Sequence, residues 1–222
     1  QNRKAIKYIL ILLLFSSISL WYLVFTNLDT NLHFYTFDIG QGDALMFKLP
    51  KNQEILIDTG KSEKVLTELG KVMPIFDNTI ELLILTHPDN DHIKMADKII
   101  KKYRVLEIWT NGDFSSAEMA NINNIAKDKN ILIKTVKTGD NKIFENTKNN
   151  NQLLVKTIYP LDNINSNSDN NNSLVESILY KDVRFLLTGD FLRVLNLSIK
   201  LIRKPQLFLW EKTVMVIQQM KY

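Results

Sequence analysis

Two histidines and two aspartates crowd into the stretch Thr86-His87-Pro88-Asp89-Asn90-Asp91-His92, which directly follows the apolar run Ile80 to Leu85. Imidazole nitrogens and carboxylate oxygens are ligands for divalent cations. A buried strand that ends in such a loop holds them at a sheet edge, where they can converge on one or two ions. A catalytic metal site is the chemistry this points to. The same letters also occur as an ordinary polar surface loop, and spacing alone does not choose between the two. The chain has no cysteine, so thiolate ligands, disulfides and a cysteine nucleophile are excluded, and any metal is held by histidine, carboxylate and water.

The elements around this loop read as an α/β domain. His33 to Phe37, Ala44 to Leu49 and Glu54 to Ile57 have the pattern of short strands, joined by Gly40-Gln41-Gly42-Asp43 and Pro50-Lys51-Asn52-Gln53. His33 alternates with Phe34 and reads as a strand residue rather than a ligand. The glycine-rich connection is either a tight hairpin turn or a close backbone approach that directs Gln41 and Asp43 toward the metal region. Asp58 ends the third strand. It either accepts a hydrogen bond from the ligand loop or caps the helix that follows over Ser62 to Phe76, where Ser62 is the expected N-cap. Ile80 to Leu85 is continuous in apolar residues, as expected of a central strand with both faces covered. Beyond the loop, Ile93, Ala96, Ile99 and Ile100 share one face of an amphipathic helix over Ile93 to Tyr103 whose other face carries lysines. Val105 to Trp109 and Ile131 to Val136 then read as strands around a helix from Ser115 to Lys129. Asn141 to Phe144, Leu153 to Tyr159, Ser173 to Tyr180 and Val183 to Leu187 make a second sheet. The Asn- and Ser-rich stretch Asp162 to Asn172 is a surface loop or a lid near the site.

At 222 residues and 45% hydrophobic the chain can bury a sizeable core. Its formal charge of +4 is compatible with a polyanionic partner without demonstrating one. Arg3, Lys4 and Lys7 precede an uncharged, apolar stretch from Tyr8 to Leu28, which has the length of a membrane-crossing helix. With Asp29 beyond the span, the positive-inside rule leaves the N-terminus in the cytoplasm and the domain outside, in a single-pass cell-membrane protein. The rival reading is a cleaved signal peptide, against which Phe25-Thr26-Asn27 lacks an A-x-A pattern. The opening glutamine suggests a fragment or a processed start.

Five ordered motifs resemble the metallo-β-lactamase superfamily, whose signature is H-x-H-x-D-H after a core strand. Here Asp89 stands at the second histidine position. Phe37-Asp38-Ile39-Gly40-Gln41-Gly42-Asp43-Ala44 resembles F-D-V-G-Q-G-D-A, and Leu56-Ile57-Asp58-Thr59-Gly60 resembles L-I-D-T-G. Asn172-Ser173-Leu174-Val175 and Phe185-Leu186-Leu187-Thr188-Gly189-Asp190 follow in the expected order. The combination is similar to the metallo-β-lactamase-like domain of ComEC-type DNA-uptake proteins. The resemblance implies an αββα sandwich over residues 31–190, after a basic stub and membrane helix over 1–30.

By the same resemblance, two divalent ions share the site. His87 and Asp89 hold the first, Asp91 and His92 the second, and Asp190 bridges them; Asp91 and Asp58 are the candidate catalytic carboxylates. The pair lowers the pKa of water and clamps a phosphoryl or acyl oxygen. Asp89 in place of an imidazole makes the first site harder, which favours Mn²⁺ or Mg²⁺ relative to an all-histidine pocket, with Zn²⁺ also accommodated. The implied reaction is phosphodiester hydrolysis, on single-stranded DNA or another phosphodiester, linked to DNA uptake. Asp91→Ala is expected to remove metal binding.

Beyond Asp89, the chain departs from the family in two further places. Lys94-Met95 stands where two glycines usually follow the D-H-I segment, and no histidine occurs beyond His92, where relatives carry H-H-G-S. Residues 191–222 form an atypical basic and apolar tail with Glu211 as their single acid. The break in composition suggests a frameshift or premature end, and with it a sandwich incomplete at the C-terminus. Two rival readings follow: a non-catalytic relative that binds without reacting, as a binding module or pseudogene product, and a hydrolase of small esters or amides using the same metals.

Overall fold

The computed structural model describes residues 2–26, 31–50, 52–74, 77–146, 151–160, 172–190 and 213–217. It opens with helix α1 (Asn2–Thr26). Within it, the 20 residues Arg3–Tyr22 are long and apolar enough to cross a membrane, and every side chain among them is exposed.

Strands β1 (His33–Thr36), β2 (Leu45–Leu49) and β3 (Gln53–Ile57) form an antiparallel meander. After helix α2 (Lys64–Val72), the chain makes the short strand β4 (Thr79–Ile80) and then the wholly buried β5 (Leu82–Leu85), parallel to β3. Helices α3 (Asn90–Ile93) and α4 (Ala96–Lys102) follow, then β6 (Arg104–Val105), β7 (Glu107–Thr110), α5 (Ala117–Asp128) and β8 (Leu132–Thr135). The first sheet has the order β1-β2-β3-β5-β7-β8, while β4 and β6 pair separately. A second sheet is built from β9 (Asn141–Asn146), β10 (Asn151–Tyr159), β11 (Val175–Tyr180), β12 (Val183–Leu187) and β13 (Thr213–Ile217).

Side-chain alternation along the first sheet creates two cores. Met46, Leu56, Leu83 and Ile108 pack with Val65, Leu69, Ile99, Ile100 and Ile122 of the helices. Phe47, Ile55, Ile57, Ile84 and Trp109 pack with Leu153, Val155, Ile178, Phe185 and Leu187 of the second sheet. The described residues thus form three layers, helices on sheet on sheet, of the four expected. The stretch 161–171 and, apart from β13, the tail beyond Asp190 lie outside the described residues. Those five tail residues extend the second sheet, parallel to β12.

Local details differ from the sequence reading. The expected strand Ile80 to Leu85 is interrupted at Glu81, whose carboxylate accepts from the Glu54 N–H at 2.6 Å. The expected helix over Ile93 to Tyr103 breaks at Lys94-Met95, the position of the missing glycines, and splits into α3 and α4. Helix α2 is shorter than expected and Ser62 is not its N-cap. Glu63 occupies that position without a side-chain cap bond, and Ser62 Oγ instead accepts from the Lys64 N–H at 3.3 Å. Helix α5 begins two residues after the expected Ser115. There Ser116 supplies the cap, accepting from the Met119 N–H at 3.2 Å.

Glu176 is fully buried in β11, where its carboxylate accepts from Thr157 Oγ1 at 2.9 Å. Burial pushes its pKa from the ordinary 4.5 up to about 8. The folded chain therefore holds this proton more tightly than the unfolded chain. The resulting stability is complete below about pH 4.5 and is lost as pH rises through about 8. Glu176→Gln is expected to flatten the fall in unfolding free energy across that window, measured by urea titration; a slope as steep as the parent's contradicts this account of Glu176.

Candidate metal centre

Strand β5 delivers the ligand loop, and its parallel neighbour β3 delivers Asp58. The register Ile57 to Ile84 brings the two strand ends side by side, and the Asp58 N–H donates to the Ile84 carbonyl at 2.9 Å. Asp58 lies at φ 55°, a left-handed conformation that aspartate tolerates better than most residues. Its Oδ1 accepts from the Thr86 N–H at 2.9 Å. Its Oδ2 accepts from Thr86 Oγ1 at 2.8 Å and from His92 Nδ1 at 2.8 Å.

These contacts set both imidazole tautomers. Thr86 Oγ1 gives its proton to Asp58, so it accepts from His87 Nδ1 at 3.0 Å. With hydrogen on Nδ1 in each ring, the Nε2 atoms are left as the ligand atoms. The rings lie 4.1 Å apart between centroids, and both Nε2 atoms are buried without a hydrogen-bond partner. Asp190, carried by the turn after β12, places Oδ1 3.8 Å from His92 Nε2. Ligand atoms of His87, His92 and Asp190 all lie within 4.8 Å of one another, and all three residues are buried.

The other expected ligands stand around this trio. Asp89 Oδ2 is 3.4 Å from His87 Nε2, on a side chain 35% exposed. Asp91 is outside the set of three, and its carbonyl accepts from the Asp43 N–H at 3.2 Å. Asp58 lies beneath the trio as the partner of His92 rather than as a helix cap. His33 starts β1, opposite Lys48 at the far end of the sheet.

Two further contributors join the site, Thr86, which carried no role in the sequence reading, and Asp43, which one of its two readings of the glycine turn directed here. Thr86 couples Asp58 to His87, and its position immediately before the first ligand was the available signal. Asp43 approaches from the glycine turn, where burial, opposed by the His92 charge and reinforced by Asp58, Asp190 and Asp91, pushes its carboxyl up to about 6. The site thereby holds a carboxyl able to take or release a proton near neutral pH. For His92, burial is outweighed by the Asp58 carboxylate and its hydrogen bond, with Asp43 and Asp190 adding, and the pKa rises to about 9. Burial and the charge on His92 hold His87 below its ordinary value. The positive charge therefore sits on His92, whose Nε2 proton a divalent cation displaces on binding, while His87 Nε2 is already free.

The donor set fits such a cation. Leaving two buried imidazole nitrogens without a partner costs stability that ligation recovers, and two imidazoles with a carboxylate suit zinc, manganese or iron.

No family model matches the chain. It is 28% identical over 173 residues to ComE operon protein 3 of Bacillus subtilis (strain 168), covering 69% of this chain. The chain spans 21% of that relative's length. Among solved structures it is similar to the metallo hydrolase Igni18 from Ignicoccus hospitalis KIN4/I (TM-score 0.43, 13% identity, 70% of this chain and 60% of that one). It is also similar to the Rm3 metallo-beta-lactamase (TM-score 0.43, 13% identity, 70% and 58%). A third likeness is to the chemotaxis sensor ODP (TM-score 0.44, 10% identity, 72% and 60%). The chain itself has a mixed α/β plan, with two layered sheets, a ligand loop after the central strand β5 and the Asp190 turn after β12.

The turn that brings Asp43 in depends on Gly42. At φ 98°, a Cβ there meets the Asp91 carbonyl oxygen at 1.9 Å, whereas Gly40, at φ 81°, has open space. Both substitutions to alanine strain the backbone, but only Gly42→Ala also collides with helix α3. Gly42→Ala is expected to lower the melting temperature more than Gly40→Ala; equal losses would show that the close approach is not made. Asp58→Asn keeps the size and tolerates the left-handed backbone but removes the charge behind His92. Metal affinity is expected to fall about 10- to 100-fold in a calorimetric Mn²⁺ or Zn²⁺ titration, and an unchanged affinity rules out Asp58 as the orienting partner.

Proposed function

We propose that this chain is a metal-dependent phosphodiester hydrolase, with nucleic acid as its substrate class, held at a membrane by α1. The convergence of His87 Nε2, His92 Nε2 and the Asp190 carboxylate in one buried space is the observation that carries the reading. In this reading His87 and Asp89 would hold one ion and Asp91 and His92 a second. Asp190, standing with both histidines, would be a ligand available to either ion. Bound divalent ions supply Lewis acidity toward a phosphoryl oxygen and make water acidic enough to attack near neutral pH. Asp58 and Thr86 hold the imidazoles in their ligating tautomers, and Asp43 is placed to exchange a proton. The motif resemblance to ComEC-type DNA-uptake proteins and the similarity to ComE operon protein 3 support nucleic acid as substrate and DNA uptake as context. Arg3, Lys4 and Lys7 before the apolar span favour a cytoplasmic N-terminus with the site outside.

The second reading, a relative that binds without hydrolysing, draws on one observation. The chain has no histidine beyond His92, which leaves few protein ligands for a second ion.

Metal analysis and a single-stranded DNA cleavage assay separate the readings. The expected outcome is Mn²⁺ uptake and cleavage of single-stranded DNA that both disappear in His87→Ala, Asp190→Ala and Asp91→Ala. DNA bound without cleavage favours the binding module, cleavage of a carboxylic ester but not DNA favours the esterase reading, and no metal uptake defeats both hydrolase readings.

A further inference from the structure

A second cleft, of about 340 Å³, lies away from the metal centre, lined by Asn78, Lys101, Lys102, Arg104, Lys129 and Ile131 among others. Asp97 neutralises Lys101 at 3.0 Å, and the Asp77 carboxylate is engaged by the Thr79 N–H at 2.9 Å. Lys102, Arg104 and Lys129 are exposed and make no ion pair with a described carboxylate. Three uncompensated cations around a concave site attract anionic groups.

The strand directions say where this cleft sits. β1 is antiparallel to β2 and β2 to β3, so β1 runs in the same sense as β3, β5, β7 and β8. Its first residue, His33, therefore lies at the end of the sheet where those strands begin, and the cleft is built at that end. The ligands of the metal centre follow the opposite ends, after β3 and β5. Only residues 27–32 separate α1 from β1, a tether of about 25 Å at full extension. Exposed Leu106 (42%) and Leu132 (60%) flank the same end, adding apolar groups where a free polyanion offers them no partner.

We infer that this basic cleft binds the phosphate of anionic lipid headgroups, docking the start of the sheet on the membrane and turning the metal centre away from it. The inference rests on the membrane-anchored reading of α1, and not on the reaction. Leu106 and Leu132 reach toward the interface, while Lys102, Arg104 and Lys129 meet lipid phosphates.

The test uses the full chain in lipid nanodiscs. Because the chain has no cysteine, Asn124→Cys on the exposed side of α5 takes a single fluorophore, and energy transfer to an acceptor lipid reports how near this end lies to the bilayer. Transfer is expected to be higher in discs containing phosphatidylglycerol than in phosphatidylcholine alone. That gain is expected to be lost in Lys102→Gln/Arg104→Gln and kept in Lys61→Gln/Lys64→Gln, an equal charge change near the metal end. Equal transfer in both lipids, or a gain that the cleft variant keeps, overturns the inference. Loss of the gain on adding inorganic phosphate at constant ionic strength assigns the cleft to free phosphate, and displacement by single-stranded DNA assigns it to nucleic acid; either overturns the lipid assignment. A chain that enters neither kind of disc sinks the anchored reading and this inference with it, while leaving the metal centre's hydrolase reading untouched.

Discussion

The Asp58 carboxylate joins strands β3 and β5 at the point where both leave the sheet. It accepts from the Thr86 N–H, from the Thr86 hydroxyl and from His92 Nδ1, and these contacts decide the tautomers of two histidines. Buried carboxylates are costly unless their oxygens are satisfied, and here the satisfaction comes entirely from the ligand loop and the first turn of the helix after it. The stability of this corner and the orientation of the imidazoles are therefore one arrangement: whatever loosens Asp58 also turns the ligating nitrogens.

The rest of the domain makes that corner rigid. β5 is buried on both faces, by helices on one side and by the second sheet on the other, so the loop it delivers starts from a fixed point. α3 is tied back to the end of β3, because the His92 carbonyl accepts from the N–H groups of Thr59 and Gly60 and from the Thr59 hydroxyl. Asp190 arrives from the other sheet. The packing between the sheets, in which Phe185 and Leu187 of β12 meet Phe47 and Ile57, thus sets how far Asp190 stands from His87 and His92.

The charges are segregated along the strand direction. At the strand ends the carboxylates of Asp58, Asp43 and Asp190 face His92, a field that raises its affinity for a proton and suits a cation. At the strand beginnings Lys102, Arg104 and Lys129 form a cleft of the opposite sign. The chain also enters the sheet at the basic end, where β1 begins.

Residue types and their order were sufficient to place the alternation of strands and helices, the two-sheet plan, the candidate ligands and the exclusion of thiolate chemistry. Those features depend on local periodicity and on letters that retain their chemistry wherever they fall. The sequence could not say whether Asp58 capped a helix or supported a ligand, because the answer lies in a hydrogen bond to a residue 34 positions away. That bond exists only through the parallel register of β3 and β5. Nor could it say that His87, His92 and Asp190 would converge while Asp91 stood outside them, since four ligands in one loop cannot all point inward once the loop turns into a helix. The break at Lys94-Met95 and the basic cleft likewise belong to the tertiary structure, which alone determines which end of each strand meets which neighbour.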